Sequence, residues 1–297
     1  MNPVLQEILD ILNVEQIERD LYRGQNHNTE HVFGGQVLAQ ALTAAYRTIE
    51  APDNAPHQLH SMHAYFLRAG DWKVPILYEV DRIRDGSSFS TRRVAAIQHG
   101  KAIFSLSCSW QKQETGLVHS QPMPDVPPPE ALRGDLEAYR QIAKEQPEVA
   151  RYSFRFEAID SRQVERILSS DGSEHPPFKH TWLKARDPLP DNPEVHIALL
   201  AYMSDLDFMS TSMLPHGRNA IRENIRGASL DHSLWFHRPF RADEWLLFVK
   251  ESPNARGARG FVRGHFFNRE GELVATAAQE CLIRPVGKLR EKLLAET

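Results

Sequence analysis

The stretches 98-QHGKAIFSLSCSW-110 and 269-REGELVATAAQEC-281 share one plan. Each opens on a glycine turn and continues as a run of apolar and small residues suited to a strand. Gly100 falls on Gly271, an offset of 271 − 100 = 171. Upstream, 59-LHSMHAYFLRAG-70 lies over 229-SLDHSLWFHRPF-240, with Phe66 on Phe236 and 236 − 66 = 170. One residue of slippage between the offsets fits a change of loop length. A fixed period with elements in the same order is the signature of an internal duplication.

The pattern extends outward from these pairs. In the first copy, 34-GGQVLAQALTAAYRTIE-50 reads as a helix entered through two glycines, followed by strand-like runs at 59–68, 75–84 and 89–110, the last broken near His99 and Gly100. In the second, Asn192 and Pro193 suit an N-cap and a first helical position, and apolar spacing runs on to about Met209. Strand-like runs follow at 227–238, 244–251 and 259–284, with a turn at 268-NREG-271. Each half is therefore an α+β unit in which a curved antiparallel sheet wraps one central helix, and two such units suggest a fused pair. The expected division is 1–113, a linker over 114–150, and 151–297. Within that linker, 120-SQPMPDVPPPEALRG-134 is too rich in proline for a strand or helix interior. It reads as a connection crossing the surface, with peptide-like docking as the alternative.

Bulk properties exclude several classes. The 297 residues are 41% apolar and 25% charged, an ordinary globular composition. A net charge of −4 argues against a general nucleic-acid binder. Cys108 and Cys281 are too few for a disulfide framework or a cysteine zinc site. No apolar run approaches the ~18 residues of a membrane span. The first residues, MNPVLQEILDILNVEQIERDLYRG, read as a helix and not as a signal peptide, the tail from Gly287 reads as a short solvated helix, and a cytoplasmic location is the default expectation. There is no phosphate loop, nucleophile elbow, H-E-x-x-H or C-x-x-C. Strand alternation puts Asp231 and His237 on one face and His232 on the other, so no metal site is expected there, and no cofactor is implied.

Three polar residues stand where apolar ones belong. Asp205, in 197-IALLAYMSDLDFM-209, shares a helical stripe with Ala198, Ala201, Tyr202 and Met209, where desolvation would raise its pKa. The alternative is a helix-capping carboxylate. Gln279, in 272-ELVATAAQECLI-283, alternates onto the face of Ala275, Ala277 and Cys281. It is either a structural amide or a group facing a ligand. Ser229 begins 228-ASLDHSLWFHRPF-240 and falls by alternation with Asp231, Ser233 and Trp235, as a functional hydroxyl or a plain edge residue. By the repeat offsets these three map to Gly34, Cys108 and Leu59. The first copy lacks the polar set, which favours function over fold as its reason.

These motifs, with 33-FGGQVLAQAL-42, 202-YMSDLDFM-209, 259-RGFVRGHFF-267 and 277-AAQE-280, resemble those of the acyl-CoA thioesterase II family over nearly the whole chain. The resemblance implies a double hot-dog fold. It also implies an Asp–Thr/Ser–Gln constellation, falling here on Asp205, Ser229 and Gln279, that activates a water against the thioester of an acyl-CoA. Some members carry threonine where Ser229 stands. In the same strand, Asp231 and His232 are expected to make structural hydrogen bonds. Two other readings keep the fold: an enoyl-CoA hydratase, and a non-catalytic acyl-CoA sensor. Arg256, Arg259 and Arg263 are candidates for the phosphates of CoA, against the alternative of charges that guard an edge strand. Further association into homodimers or homotetramers is expected.

Overall fold

The computed structural model describes residues 1–27, 32–50, 57–145, 155–167, 173–217 and 225–295. Helix α1 (Pro3–Leu12) precedes the short strands β1 (Glu15–Glu18) and β2 (Leu21–Gly24). Helix α2 (Gly34–Tyr46) then leads to β3 (His57–Phe66), β4 (Ile76–Asp85), β5 (Phe89–Gln98) and β6 (Lys101–Lys112). After helix α3 (Asp135–Glu145), strands β7 (Ile159–Gln163) and β8 (Phe178–Ala185) precede helix α4 (Pro193–Ser204). The second set of strands is β9 (Ile225–Ser229), β10 (Asp231–Phe236), β11 (Leu246–Arg256), β12 (Arg259–Phe267) and β13 (Leu273–Pro285), closed by helix α5 (Gly287–Ala295).

The main path of the antiparallel sheet runs β1-β2-β4-β5-β6-β3-β10-β13-β12-β11-β8-β7, with β9 paired to β13. Its order reads the same from either end once the copies are exchanged. The copies meet where β3 pairs with β10, and His63 lies opposite Ser233. Their separation, 233 − 63 = 170, equals the repeat offset, so a local twofold axis passes between them. This is the double hot-dog arrangement.

The sheet curls around α2 and α4, which pack on each other. Helix α2 is buried from Gly35 to Ala45, on every side. A helix that is apolar all round has to lie inside. The polar exceptions are satisfied: the Gln40 amide donates to the carbonyls of Ile11 (2.7 Å) and Gln25 (2.8 Å) and accepts from the Tyr78 hydroxyl (2.6 Å).

Two sequence expectations change, on the second central helix and on the β12 arginines, and the segment between the copies gains detail. The second central helix stops at Ser204, short of Met209; Asp207 takes a left-handed φ of 54°, and a 3₁₀ segment, Met209–His216, follows. Asp207 is held by an ion pair with the buried Lys179. The presumed linker contains a 3₁₀ turn (Pro129–Ala131) and α3, and its Met123, Val126 and Leu132 pack on Trp182, Trp245, Leu247 and Phe267. Those four face away from the central helices, so the proline-rich segment covers the outer side of the second half. Finally, β12 lies between β11 and β13, so its arginines guard no edge.

Candidate active site

Helix α4 ends against the start of α2. The first backbone N–H groups of a helix have no partner within it. Phe33, the N-cap of α2, supplies no side-chain acceptor. The acceptor comes from the other copy: the Gly35 N–H donates to Asp205 Oδ2 at 2.9 Å. Asp205 is itself the C-cap of α4, the place that the helix-capping alternative gave it. Its side chain lines one cavity. Burial pushes its pKa up to about 7, opposed by the Arg155 guanidinium and the Gly35 N–H.

Ser229 ends β9 on the opposite wall. Its partner across the sheet is Cys281, while Ser233 is opposite Ala278. The sums 229 + 281 = 510 and 233 + 278 = 511 differ by one, so a β-bulge lies between them. The bulge overturns simple alternation. Ser229 shares the inner face with Cys281 and Gln279, and not the face of Asp231, Ser233 and Trp235. β3 has a register shift at the matching place, between Leu59 and Ser61.

Gln279 is fully buried, and its Nε2 donates to Ser229 Oγ at 3.0 Å. Its Oε1 lies 2.6 Å from Nδ1 of the buried His232, whose Nε2 is 2.9 Å from Ser204 Oγ. Asp231 accepts the Glu280 N–H at 2.7 Å. Asp231 and His232 thus make the hydrogen bonds expected of them.

A cavity of about 530 Å³ lies between these walls. Asp205, Ser229, Gly34 and Arg155 line it beside Val37, Phe66, Phe104, Met209 and Leu230, with Arg68 among its lining residues as well. The structure brings Asp205 and Ser229 to one cavity and ties Gln279 to Ser229. It does not bring Arg259 and Arg263 there. The neighbouring Val262 pairs with Gln279 and faces inward, so both arginines point outward, bonded to Glu280 and Glu251 respectively.

Residues 149–282 match the family model described as acyl-CoA thioesterase, and residues 23–111 match that of the acyl-CoA thioesterase N-terminal domain. Acyl-coenzyme A thioesterase 8 of Mus musculus is 39% identical over 97% of this chain and 92% of its own. The chain belongs to the acyl-CoA thioesterase family. Acyl-CoA thioesterase 2 of Haemophilus influenzae is 36% identical, covering 96% of this chain and 99% of its own. The crystal structure of an acyl-CoA thioesterase II from Mycobacterium marinum superposes with a TM-score of 0.78 at 43% identity, covering 94% of this chain and 98% of that one. A hot-dog protein from Alicyclobacillus acidocaldarius, 18% identical, shares the fold with a TM-score of 0.74 over 95% of this chain and 99% of its own. As a member of this family the protein is a thioester hydrolase.

Within this acyl-CoA thioesterase the two copies are unequal. The equivalent of Asp205 is Arg47, the C-cap of α2, and not Gly34, because the connection after each central helix differs in length. The 170 and 171 offsets place Met62 under His232 and Cys108 under Gln279, and both are buried. An apolar pair therefore suffices for the sheet at this position. Sequence reading missed Arg155 in the site and treated His232 only as a structural partner. The 170 offset, which already sets His232 over Met62, carries the signal for the second. Nothing in the sequence marks Arg155.

Proposed function

We propose that this thioesterase hydrolyses acyl-CoA to a fatty acid and CoA by direct attack of a water that Asp205, Ser229 and Gln279 position. The observation that carries this reading is the Asp205 carboxylate, held against the start of α2 and lining the same cavity as Ser229, with burial pushing its pKa up to about 7. A base with a pKa near the operating pH combines availability with driving force. Asp205 takes a proton as the water oxygen bonds to the thioester carbon. Negative charge developing on the carbonyl oxygen meets the N-terminus of α2 at Gly34, where the helix dipole is positive. The C–S bond then breaks, and the proton passes from Asp205 to the departing thiolate. Val37, Phe66 and Phe104 offer the acyl chain an apolar wall.

Purified protein mixed with saturated acyl-CoAs of graded chain length and a thiol reagent is expected to release free thiol. Loss of enoyl-CoA absorbance without thiol release would make it a hydratase, and binding without either would make it a sensor.

The nucleotide end of CoA requires positive charge, and Arg68, exposed at the cavity, supplies it in this reading. Arg68→Ala is expected to raise KM for acyl-CoA by roughly tenfold, about the loss of one charged hydrogen bond, and to leave a thioester lacking the nucleotide unchanged. Arg259→Ala and Arg263→Ala test the outer face in the same assay. A rise in KM from either, specific to the full CoA substrate, would place the phosphates there instead. The reading includes association of chains: light scattering is expected to give a multiple of 33.9 kDa, and the single-chain mass alone at micromolar concentration would contradict it.

A further inference from the structure

Behind Ser229 a line of hydrogen bonds leads away from the cavity into the protein, and we infer that His232 and Ser204 act as positioning residues that set its direction. The inference rests on the Asp205–Ser229–Gln279 reading above. It concerns the orientation of protons, which that reading leaves open.

The order of the bonds follows from what each atom can do. An amide oxygen only accepts. With Gln279 Oε1 2.6 Å from His232 Nδ1, the ring proton sits on Nδ1. His232 is fully buried, and desolvation lowers its pKa to about 4, so the ring stays neutral and carries one proton. Nε2 is then a bare acceptor. The Ser204 hydroxyl, 2.9 Å from Nε2 and 2.8 Å from the Ala201 carbonyl oxygen, is the donor on that side and shares its one proton between the two acceptors. Because the ring occupies the amide oxygen, the Gln279 NH₂ faces Ser229 and donates to its Oγ at 3.0 Å. Ser229 already accepts, so it keeps its own proton for the cavity. The bonds run one way, from Ser204 through His232 and Gln279 to Ser229.

Reversing one link reverses the rest. A ring protonated on Nε2 would turn the Gln279 amide over and present its oxygen to Ser229. The serine proton would then be spent on Gln279, and the cavity would meet a bare oxygen. Two observations set this apart from a structural role. Neither His232 nor Gln279 is among the residues that line the cavity, so His232 reaches it only through Gln279 and Ser229. The first copy builds the same pair of strands with Met62 and Cys108, so the sheet does not require the polar pair.

The test uses the full-length protein with ¹⁵N-labelled histidine. Nitrogen shifts of the His232 ring are expected to show Nδ1 protonated and Nε2 bare. The opposite tautomer would overturn the inference whether or not the protein hydrolyses a thioester. Two variants then connect direction to rate. His232→Leu removes the donor, and kcat for acyl-CoA is expected to fall roughly 10- to 100-fold, the range for groups that orient a reacting residue from behind, with KM little changed. His232→Asn places an amide N–H near the former Nδ1–H and is expected to restore most of kcat. Equal loss in both folded variants, or full activity in His232→Leu, would refute the positioning role. Absence of thiol release in the unmodified protein would instead refute the hydrolase reading and leave the tautomer result standing.

Discussion

Asp205→Asn is expected to lower kcat roughly 10²- to 10⁴-fold, the usual cost of losing a general base. The amide keeps the shape of the carboxylate, and its oxygen can still accept the Gly35 N–H, so the defect should lie in chemistry and not in folding. The unmodified enzyme should show an acidic limb in kcat near pH 7, where Asp205 becomes ionised, and the residual activity of the variant should lack it. Stability should move the other way. A carboxylate with a folded pKa raised from 3.8 to about 7 binds its proton more tightly when folded. The native state is therefore favoured at low pH and loses stability as pH rises between those values. Above pH 7 the ionised group is a net cost, and Asn removes it. A gain of about 2 kcal/mol at pH 8 is expected, less than the full shift implies at ~1.4 kcal/mol per unit, because part of the carboxylate faces the cavity. Thermal unfolding at pH 5 and pH 8 checks the sign: the gain should be larger at pH 8. A folded variant with near-normal turnover would remove Asp205 from the role of base.

Gly35→Ala is the second large effect. A Cβ at this position would sit 2.5 Å from the Tyr202 carbonyl oxygen and 2.6 Å from the Phe33 ring. The carbonyl belongs to the backbone of α4 and cannot turn aside. The two central helices would have to separate, taking the Gly35 N–H away from Asp205. Overpacking of this kind costs about 1–3 kcal/mol. A shift of ~1 Å at a reacting group can cost on the order of 10² in rate, so kcat should fall with stability. Gly116→Ala is the control. Among the described residues it meets nothing within 4 Å and should change neither quantity. If Gly35→Ala matched the control in unfolding temperature and kcat, close approach of the helices would not be what holds Asp205 in place.

How much was legible in the sequence depended on the kind of residue. The duplication showed because paired strands repeat their apolar rhythm at constant offset: β6 and β13 through Gly100 and Gly271, β3 and β10 through Phe66 and Phe236. The outer strands did not show. β1 is the exposed run Glu15–Glu18, and β8 buries Lys179 where an apolar residue would be expected. Gln279 was legible because an amide among alanines breaks an otherwise apolar face. The face of Ser229 was misjudged because a bulge is a fact of pairing, and nothing in one strand announces it. The end of α4 was placed too far along because Leu206, Phe208 and Met209 continue the apolar spacing, while Asp207, at the left-handed turn, pairs with Lys179, distant in sequence. Arg155 reaches the cavity from outside either repeat motif, so no period could point to it.

A single turnover in H₂¹⁸O, with enzyme in excess over acyl-CoA, tests most directly whether water attacks the thioester itself. One ¹⁸O atom is expected in the released fatty acid and none in the peptide that contains Asp205, both read by mass spectrometry. Label in the Asp205 peptide, with unlabelled oxygen in the acid, would show that the carboxylate attacked the thioester and formed an anhydride, and would contradict its role as the base that activates water.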